Sequence, residues 1–339
     1  MHRSISYMGA LLRAKLAGES RPLWVDVAVT NRCHLSCEYC YGDYHHRKDD
    51  IGQFRLEQLH TILDDAAALG TKVACLTGGE PMLHKSITQI IERAASHNIT
   101  VGMVTSGFRI RERVTELAAL SWIVISLDGP EPVHDLNRGT GSFAVAMGAL
   151  EAVARQGISR VIKAVLNRRN KDQLPWLLDT AARLGARLEV VMSYAPQSDR
   201  QLRIHGDMTL DAQERQILAE ALLAHKQRGA PLVFRERIYE NLARWWPSHK
   251  SDRVRTDEVV SGFPYLECCA GRYYAFIDGD GRMYPCNQRI AEFDARNVLE
   301  VGVRAAWEHL HGHGCHACAA PWLNQQHLVN NIGKRLLRA

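Results

Sequence analysis

The sequence predicts an α/β fold: a partial barrel of six strand–helix units, followed by a small C-terminal domain. Short apolar strands alternate with amphipathic helices over the first two thirds of the chain. There are six of these units, fewer than a closed eight-stranded barrel requires. Strands in such a series are parallel and are joined by right-handed helical crossovers. The last quarter of the chain changes to a cysteine-rich hairpin pattern. With 339 residues, 46% of them hydrophobic, the chain is long enough to bury a core of this size.

The strand candidates are apolar on both faces, which is typical of a parallel sheet covered by helices. They span 23–29, 72–77, 100–104, 122–127, 160–166 and 187–192. The helix candidates between them carry apolar residues at three- and four-residue spacing. They span Leu56–Leu69, Lys85–His97, Ile110–Ala119, Ser142–Gln156 and Lys171–Leu184. Ser142 is predicted to cap the fourth helix through its side-chain oxygen.

The predicted domains are an N-terminal helix over 1–20, the barrel over 21–235 and the small C-terminal domain over 236–339. In the last of these, "GRYYAFIDGDGRMYPC" predicts a β-hairpin, because aromatic and β-branched strands flank an Asp-Gly-Asp-Gly turn.

Composition excludes several classes of partner. The net charge is only +5 and no long Lys/Arg run is present, so nucleic-acid binding is not expected. No apolar stretch approaches the about 20 residues of a membrane span, and the N-terminus lacks a signal-peptide pattern, so a cytoplasmic protein without a membrane contact is expected. In a reducing compartment the nine cysteines indicate metal ligands or catalytic groups instead of disulfides.

A triplet of cysteines follows the first strand. Cys33, Cys37 and Cys40 are spaced C-x3-C-x2-C within "CHLSCEYCY". A tetrahedral zinc site needs four ligands, and a [4Fe–4S] cluster usually takes four cysteines. Three thiolates would therefore leave one iron of a cluster open to bind another molecule. The alternative is that these cysteines are simply buried or hold zinc.

The triplet resembles that of the radical S-adenosylmethionine (radical SAM) superfamily. The resemblance includes an aromatic residue, Tyr39, before the last cysteine, and "GGEP" after the second strand. It extends in order and spacing over about residues 20–230. It implies a partial (β/α)6 radical SAM barrel in which the triplet holds a [4Fe–4S] cluster that binds S-adenosylmethionine (SAM).

The resemblance also implies roles for residues at the strand ends. Glu80 would accept a hydrogen bond from the SAM amine, Arg138 would pair with its carboxylate, and Asp128 would lie at the barrel mouth near the chemistry. The full set of implied SAM contacts is Tyr39, Gly78, Gly79, Glu80, Ser106, Ser126, Arg138, Asn167 and Val191. Alternatively, the strand-end polar residues are ordinary caps or turn residues.

A second group of cysteines lies in the tail. Cys269, Cys286 within a G-x4-C pattern, and the C-x2-C pair of Cys315 and Cys318 resemble the auxiliary-cluster domain called twitch, a shortened SPASM domain. This implies a second, auxiliary [4Fe–4S] cluster saturated by these four thiolates, with tetrahedral zinc as the alternative. Cys268 is either packed or a hydrogen-atom donor to a substrate radical.

The resemblance implies reductive cleavage of SAM to a 5′-deoxyadenosyl radical, with electrons from a flavodoxin- or ferredoxin-type donor. The expected substrate is a small natural product, a sugar or aminocyclitol, that is epimerised or dehydrogenated. This choice depends on the short segment before the first strand, which leaves no room there for a peptide-recognition domain. A peptide maturase is the first alternative, and a non-catalytic iron–sulfur or zinc protein that binds SAM is the second.

Overall fold

The computed structural model describes residues 2–42, 44, 54–193, 208–249, 251–290 and 292–320. The strands in chain order are β1 (Trp24–Thr30), β2 (Val73–Gly78), β3 (Thr100–Thr105), β4 (Trp122–Ser126), β5 (Ser159–Leu166), β6 (Arg187–Met192), β7 (Arg253–Arg255), β8 (Tyr274–Ile277), β9 (Arg282–Tyr284), β10 (Arg296–Asn297) and β11 (Cys315–Cys318). The helices are α1 (His2–Leu16), α2 (Leu56–Ala68), α3 (Ile87–Ser96), α4 (Ile110–Arg113), α5 (Glu131–Arg138), α6 (Ser142–Arg155), α7 (Leu174–Arg183), α8 (Ala212–Gln227), α9 (Glu236–Ser248) and α10 (Val298–Glu308). All of the predicted strands are present.

The chain divides into two compact units. The first unit comprises Met1–Ser126, His134–Arg160 and Ala270–His313. The second unit comprises Leu127–Val133, Val161–Cys269 and Gly314–Ala339. The predicted domain boundaries at 20 and 235 are not tested by this division and stay a prediction.

The first unit is built on a sheet with the strand order β10-β9-β8-β1-β2-β3-β4. Strands β1 to β4 are parallel, and β8 joins the other side of β1, also in parallel, from Trp24 opposite Tyr274 to Val27 opposite Ile277. Strand β9 then returns antiparallel to β8, which confirms the predicted hairpin. The hairpin therefore continues the sheet that starts at β1.

The core of this unit is formed by apolar residues that recur at every second position in the strands and at helical spacing in the helices. Alternate residues of β1, Val25, Val27 and Val29, are buried on one face. Helix α2 buries one apolar stripe, and α10 packs against it. Each fully buried Leu, Ile or Val side chain contributes about 1.5–3 kcal/mol by leaving water.

Two helix predictions in this unit are wrong in detail. Helix α6 has Gly141 as its N-cap with a left-handed φ of +81°, and Ser142 is the first helical residue. The capping acceptor is the Asp135 carboxylate, which accepts from the Gly141 and Phe143 amides at 2.6 and 2.8 Å. The helix predicted over Ile110–Ala119 is α helix only to Arg113 and then tightens to a 3₁₀ turn. The β-branched pair that follows Arg113 favours α helix less than straight-chain residues do.

The second unit contains β5 and β6, which are parallel from Val161 opposite Arg187 to Leu166 opposite Met192. Helices α8 and α9 pack together, and Asp211 begins α8 with a capping box. Strands β7 and β11 form a separate antiparallel pair. In the described part of the chain, no helix has both the length and the apolar character needed to cross a bilayer.

Candidate cofactor site

The cysteine triplet lies on the loop that follows β1 in the first unit. All three thiols are half-buried, and the Cys40 amide donates to the Cys37 carbonyl at 3.1 Å, which closes a turn. The pKa of the Cys33 thiol is raised to about 12, first by burial and then by repulsion from nearby anionic groups. Those groups are Cys40, Glu80 and Cys37. The loop thus gathers its cysteines beside Glu80.

Across the described residues, no three Cys, His, Asp or Glu side chains converge where they could hold a metal ion. A cubane cluster does not need such convergence, because each thiolate binds a different iron at its own corner. The half-buried triplet on one loop is therefore compatible with a cluster.

Two glycines bring the second motif against the cysteine loop. The Gly79 and Glu80 amides donate to the Thr30 and Arg32 carbonyls, each at 2.8 Å. A Cβ added to Gly79 would lie 2.2 Å from the Arg32 oxygen, and one added to Gly78 would lie 2.4 Å from the Thr30 oxygen. Gly78 also has a φ of +124°, which disfavours any side chain. Only glycine allows this approach of the two backbones.

Glu80 is 1% exposed, and its carboxylate accepts four hydrogen bonds. Oε1 accepts from the Met82 amide at 3.1 Å and from the Thr105 hydroxyl at 2.7 Å. Oε2 accepts from the Ser106 amide at 2.8 Å and from its hydroxyl at 2.6 Å. The structure thus joins Glu80 directly to Ser106, two residues that the sequence analysis assigned separately to SAM. Thr105 was missed, although it is the polar neighbour of Ser106 at the end of β3.

Arg138 and Tyr39 also come together. The Arg138 guanidinium carbon lies 5.4 Å from the centroid of the Tyr39 ring, within the range of a cation–π interaction. On the same loop, the His34 ring packs against Phe108, with ring centroids 4.4 Å apart and the ring planes tilted by 34°. Both implied SAM contacts therefore lie beside the cysteine triplet.

Two buried amide side chains were also missed. Asn31 is fully buried two residues before Cys33, and Asn137 is 4% exposed next to Arg138. Neither side-chain amide has a hydrogen-bond partner among the residues that the structure describes. Leaving a buried polar group unpaired costs about 1–3 kcal/mol, so a bound group that supplies partners here would be stabilised. These amides and the glycine contacts fit a cofactor at this loop.

Asp128, in the second unit, is fully buried. Its Oδ1 accepts from the Val165 amide at 3.0 Å, and the Asn170 side chain donates to both the Asp128 and Val165 carbonyls. Asp128 therefore joins the chain after β4 to β5. Its catalytic role stays a prediction.

The remaining implied SAM contacts are all buried. Asn167 follows β5, where its Oδ1 accepts from the Arg169 amide at 2.8 Å; its Nδ2 has no partner within the described residues. Val191 lies in β6 opposite Val165, and Ser126 is the last residue of β4. An unpaired buried donor at Asn167 suits a ligand better than a simple cap.

The second group of cysteines is divided between the units. Cys286 follows β9 in the first unit, and the other implied ligands belong to the second unit. There, the Cys268 amide donates to the His316 carbonyl at 2.7 Å, which aligns this segment with β11. Cys269 is buried whereas Cys268 is half-buried.

A bulge in β11 gives Cys315 and Cys318 a common face. In a regular strand, residues three apart point to opposite faces. Here Cys315 lies opposite Arg255 and Cys318 lies opposite Arg253, because the register shifts by one residue between Cys315 and Ala317. The extra residue of the bulge thus turns both thiols to one side.

Comparison with known proteins gives consistent matches. The model of the radical SAM superfamily matches residues 27–180. The chain is 31% identical over 291 residues to the mycofactocin maturase MftC of Mycobacterium tuberculosis, covering 84% of this chain and 70% of the relative. It is 25% identical over 283 residues to the sporulation killing factor maturation protein SkfB of Bacillus subtilis, covering 82% of this chain and 63% of the relative.

Among solved structures, Streptococcus suis SuiB bound to its precursor peptide SuiA matches with a TM-score of 0.66 and 18% identity. The match covers 87% of this chain and 67% of SuiB. At this identity the likeness shows the fold alone. It confirms the predicted α/β class with a partial barrel.

Proposed function

Because the chain belongs to the radical SAM superfamily, we propose that it is a peptide maturase that abstracts a hydrogen atom from a ribosomally made peptide. The observation that carries this proposal is the 31% identity to mycofactocin maturase over 84% of the chain. SkfB is also named for maturation, and SuiB was solved with a precursor peptide bound.

The small natural product expected from the sequence has less support. That expectation used the length of chain before β1. A peptide can equally be recognised by the barrel itself or by a separate protein, so this length does not distinguish the two substrate classes.

In the proposed site, Cys33, Cys37 and Cys40 would hold a [4Fe–4S] cluster to which SAM binds. When bound, the cluster and SAM supply a 5′-deoxyadenosyl radical, and the protein supplies orientation and exclusion of water. Arg138 pairs with the SAM carboxylate, and its contact with Tyr39 holds the guanidinium beside the loop.

Glu80 receives the SAM amine. A carboxylate offers about four acceptor sites, and all four are already used within the protein. An amine bound to this carboxylate would therefore take the place of one of these donors. The Ser106 hydroxyl is the donor that can rotate away, because the Met82 and Ser106 amides belong to the backbone and Thr105 is fixed by accepting from the Gly107 amide.

The second group of cysteines, Cys269, Cys286, Cys315 and Cys318, is proposed to hold the auxiliary [4Fe–4S] cluster. Cys268 is the candidate hydrogen-atom donor, and a flavodoxin or ferredoxin is the candidate source of electrons. An oxidative outcome would need the auxiliary cluster to accept an electron. An epimerisation would need Cys268 instead.

The test is formation of 5′-deoxyadenosine by the anaerobically reconstituted protein under strong reduction. Candidate precursor peptides and a set of sugars and aminocyclitols would be supplied separately, with the triple variant Cys33→Ala/Cys37→Ala/Cys40→Ala as control. Stimulation by a peptide, with a mass change in that peptide, is expected. Stimulation by a sugar or aminocyclitol alone would restore the small-molecule assignment. No 5′-deoxyadenosine with any substrate would favour the non-catalytic alternative.

A further inference from the structure

The two ends of the cysteine loop are held in different ways. At its start, the Thr30 and Arg32 carbonyls bind the Gly79 and Glu80 amides. At its end, the loop is hydrogen-bonded to a side chain of the C-terminal hairpin. The Tyr44 phenol donates to Asp278 Oδ1 at 3.1 Å, and Asp278 is fully buried at the end of β8. The Gly279 amide donates to the same oxygen at 2.9 Å, which orients the carboxylate.

Tyr41 extends this contact to the neighbouring strand. It directly follows Cys40 and packs against the buried cluster of Ala28, Phe276 and Tyr284. Its ring packs edge-on against Tyr44 at 5.9 Å and against Phe276 at 6.2 Å. The residue directly after Cys40 therefore packs both against Tyr44 and against β8 of the hairpin.

The hairpin turn also approaches the start of the loop. A Cβ added to Gly279 would lie 2.2 Å from Asn31 Oδ1 and 3.1 Å from the Asn31 amide nitrogen. Asn31 is fully buried, so its side chain has little room to move aside. The turn at Asp278 and Gly279 therefore touches the chain on both sides of the triplet.

We propose that the turn formed by Asp278 and Gly279 is a positioning element for the SAM-binding cluster, acting through Tyr44 on Cys40. The same hairpin continues through β9 to Cys286, so one element would set the first cluster and supply a ligand to the second. This inference rests on the proposed role of the triplet as cluster ligands. Tyr44 and Asp278 are positioning residues, since they act through the loop.

The test compares Tyr44→Phe, Asp278→Ala, their double variant and Asp278→Asn in the full-length reconstituted protein. First-cluster iron is the iron that the triple cysteine-to-alanine variant lacks. Its rate of loss to a ferrous chelator would be measured anaerobically, together with the change in the EPR spectrum of the reduced protein on adding SAM. Tyr239→Phe, which removes a buried phenol oxygen in α9 of the second unit, is the matched control.

We expect about tenfold faster loss of first-cluster iron and an altered SAM-dependent spectrum in Tyr44→Phe and Asp278→Ala. Asp278→Asn keeps an acceptor oxygen and should restore the wild-type behaviour, as should Tyr239→Phe. The double variant should be no worse than Asp278→Ala, because Asp278→Ala already removes the Tyr44 contact together with the contact to the Gly279 amide.

Wild-type rates and spectra in Tyr44→Phe, or additive effects in the double variant, would overturn the inference. If Asp278→Ala does not fold, Tyr44→Phe and Asp278→Asn decide the outcome. If the triple cysteine variant instead contained as much iron as the wild-type protein, the proposed function would be overturned.

Discussion

The two groups of cysteines are brought into position by different means. Cys33, Cys37 and Cys40 lie on one loop within eight residues, and the neighbouring backbone approaches that loop through glycines. The second group comes from separate segments in two compact units, and its C-x2-C pair faces one way only because β11 is bulged. The triplet is thus supported by close backbone contact within one unit, whereas in the second group the register of β11 concerns only the pair of Cys315 and Cys318.

The largest expected effect separates the two groups by iron content. If each holds a [4Fe–4S] cluster, the wild-type protein should contain about eight irons and the triple variant of the first group about four. Cys315→Ala/Cys318→Ala should also contain about four, yet should keep the EPR response to SAM that the triple variant loses. If metal analysis found zinc bound to the second group of cysteines in place of four irons, that group would have a structural role and not a redox role.

A smaller effect tests the dependence of the first group on backbone contact. Gly79→Ala would force a methyl group against the Arg32 carbonyl, and overpacking of this kind costs about 1–3 kcal/mol. We expect lower urea stability and loss of first-cluster iron. Gly148→Ala in α6 is the control, because a Cβ there meets only the Arg111 side chain, at 3.7 Å, and alanine favours helix. Equal stability of the two variants would contradict the need for glycine.

The smallest effect concerns the hydroxyl that holds Glu80. Thr105→Val keeps the shape of the side chain and removes both the donor to Glu80 Oε1 and the acceptor of the Gly107 amide. Hydrogen bonds to charged groups contribute about 1.5–3 kcal/mol, so a loss within this range is expected in urea unfolding. Because the amine is proposed to take the place of the Ser106 hydroxyl on Oε2, losing the Thr105 contact on Oε1 should misorient the carboxylate. SAM binding, measured by calorimetry on the reconstituted protein, should therefore weaken while iron content is kept.

Thr61→Val is the control for this substitution, because the Thr61 hydroxyl donates only to a helix carbonyl at the surface. Unchanged SAM affinity in Thr105→Val would mean that Ser106 and the backbone hold Glu80 without Thr105.

Much of the fold follows from local patterns. The alternation of apolar strands and amphipathic helices predicts β1 to β6, and the Asp-Gly-Asp-Gly turn predicts the β8–β9 hairpin. One error is at the start of α6, where a competing acceptor decides the cap, and the other is the change of α4 to a 3₁₀ turn after Arg113. At α6, the acceptor is Asp135, which precedes the helix by several residues and is brought there by α5.

The candidate site residues likewise divide into those that a local sequence pattern identifies and those that only tertiary contacts identify. The sequence by itself determined the cysteine triplet, the paired glycines and Glu80, because their chemistry depends on residue type and short spacing. Only the tertiary structure decided that Glu80 is held by Thr105 and Ser106, that Asn31 and Asn137 are buried without partners among the described residues, and that the hairpin turn contacts the cysteine loop. These contacts join residues far apart in the chain. Their energies depend on burial and register, which no local pattern records.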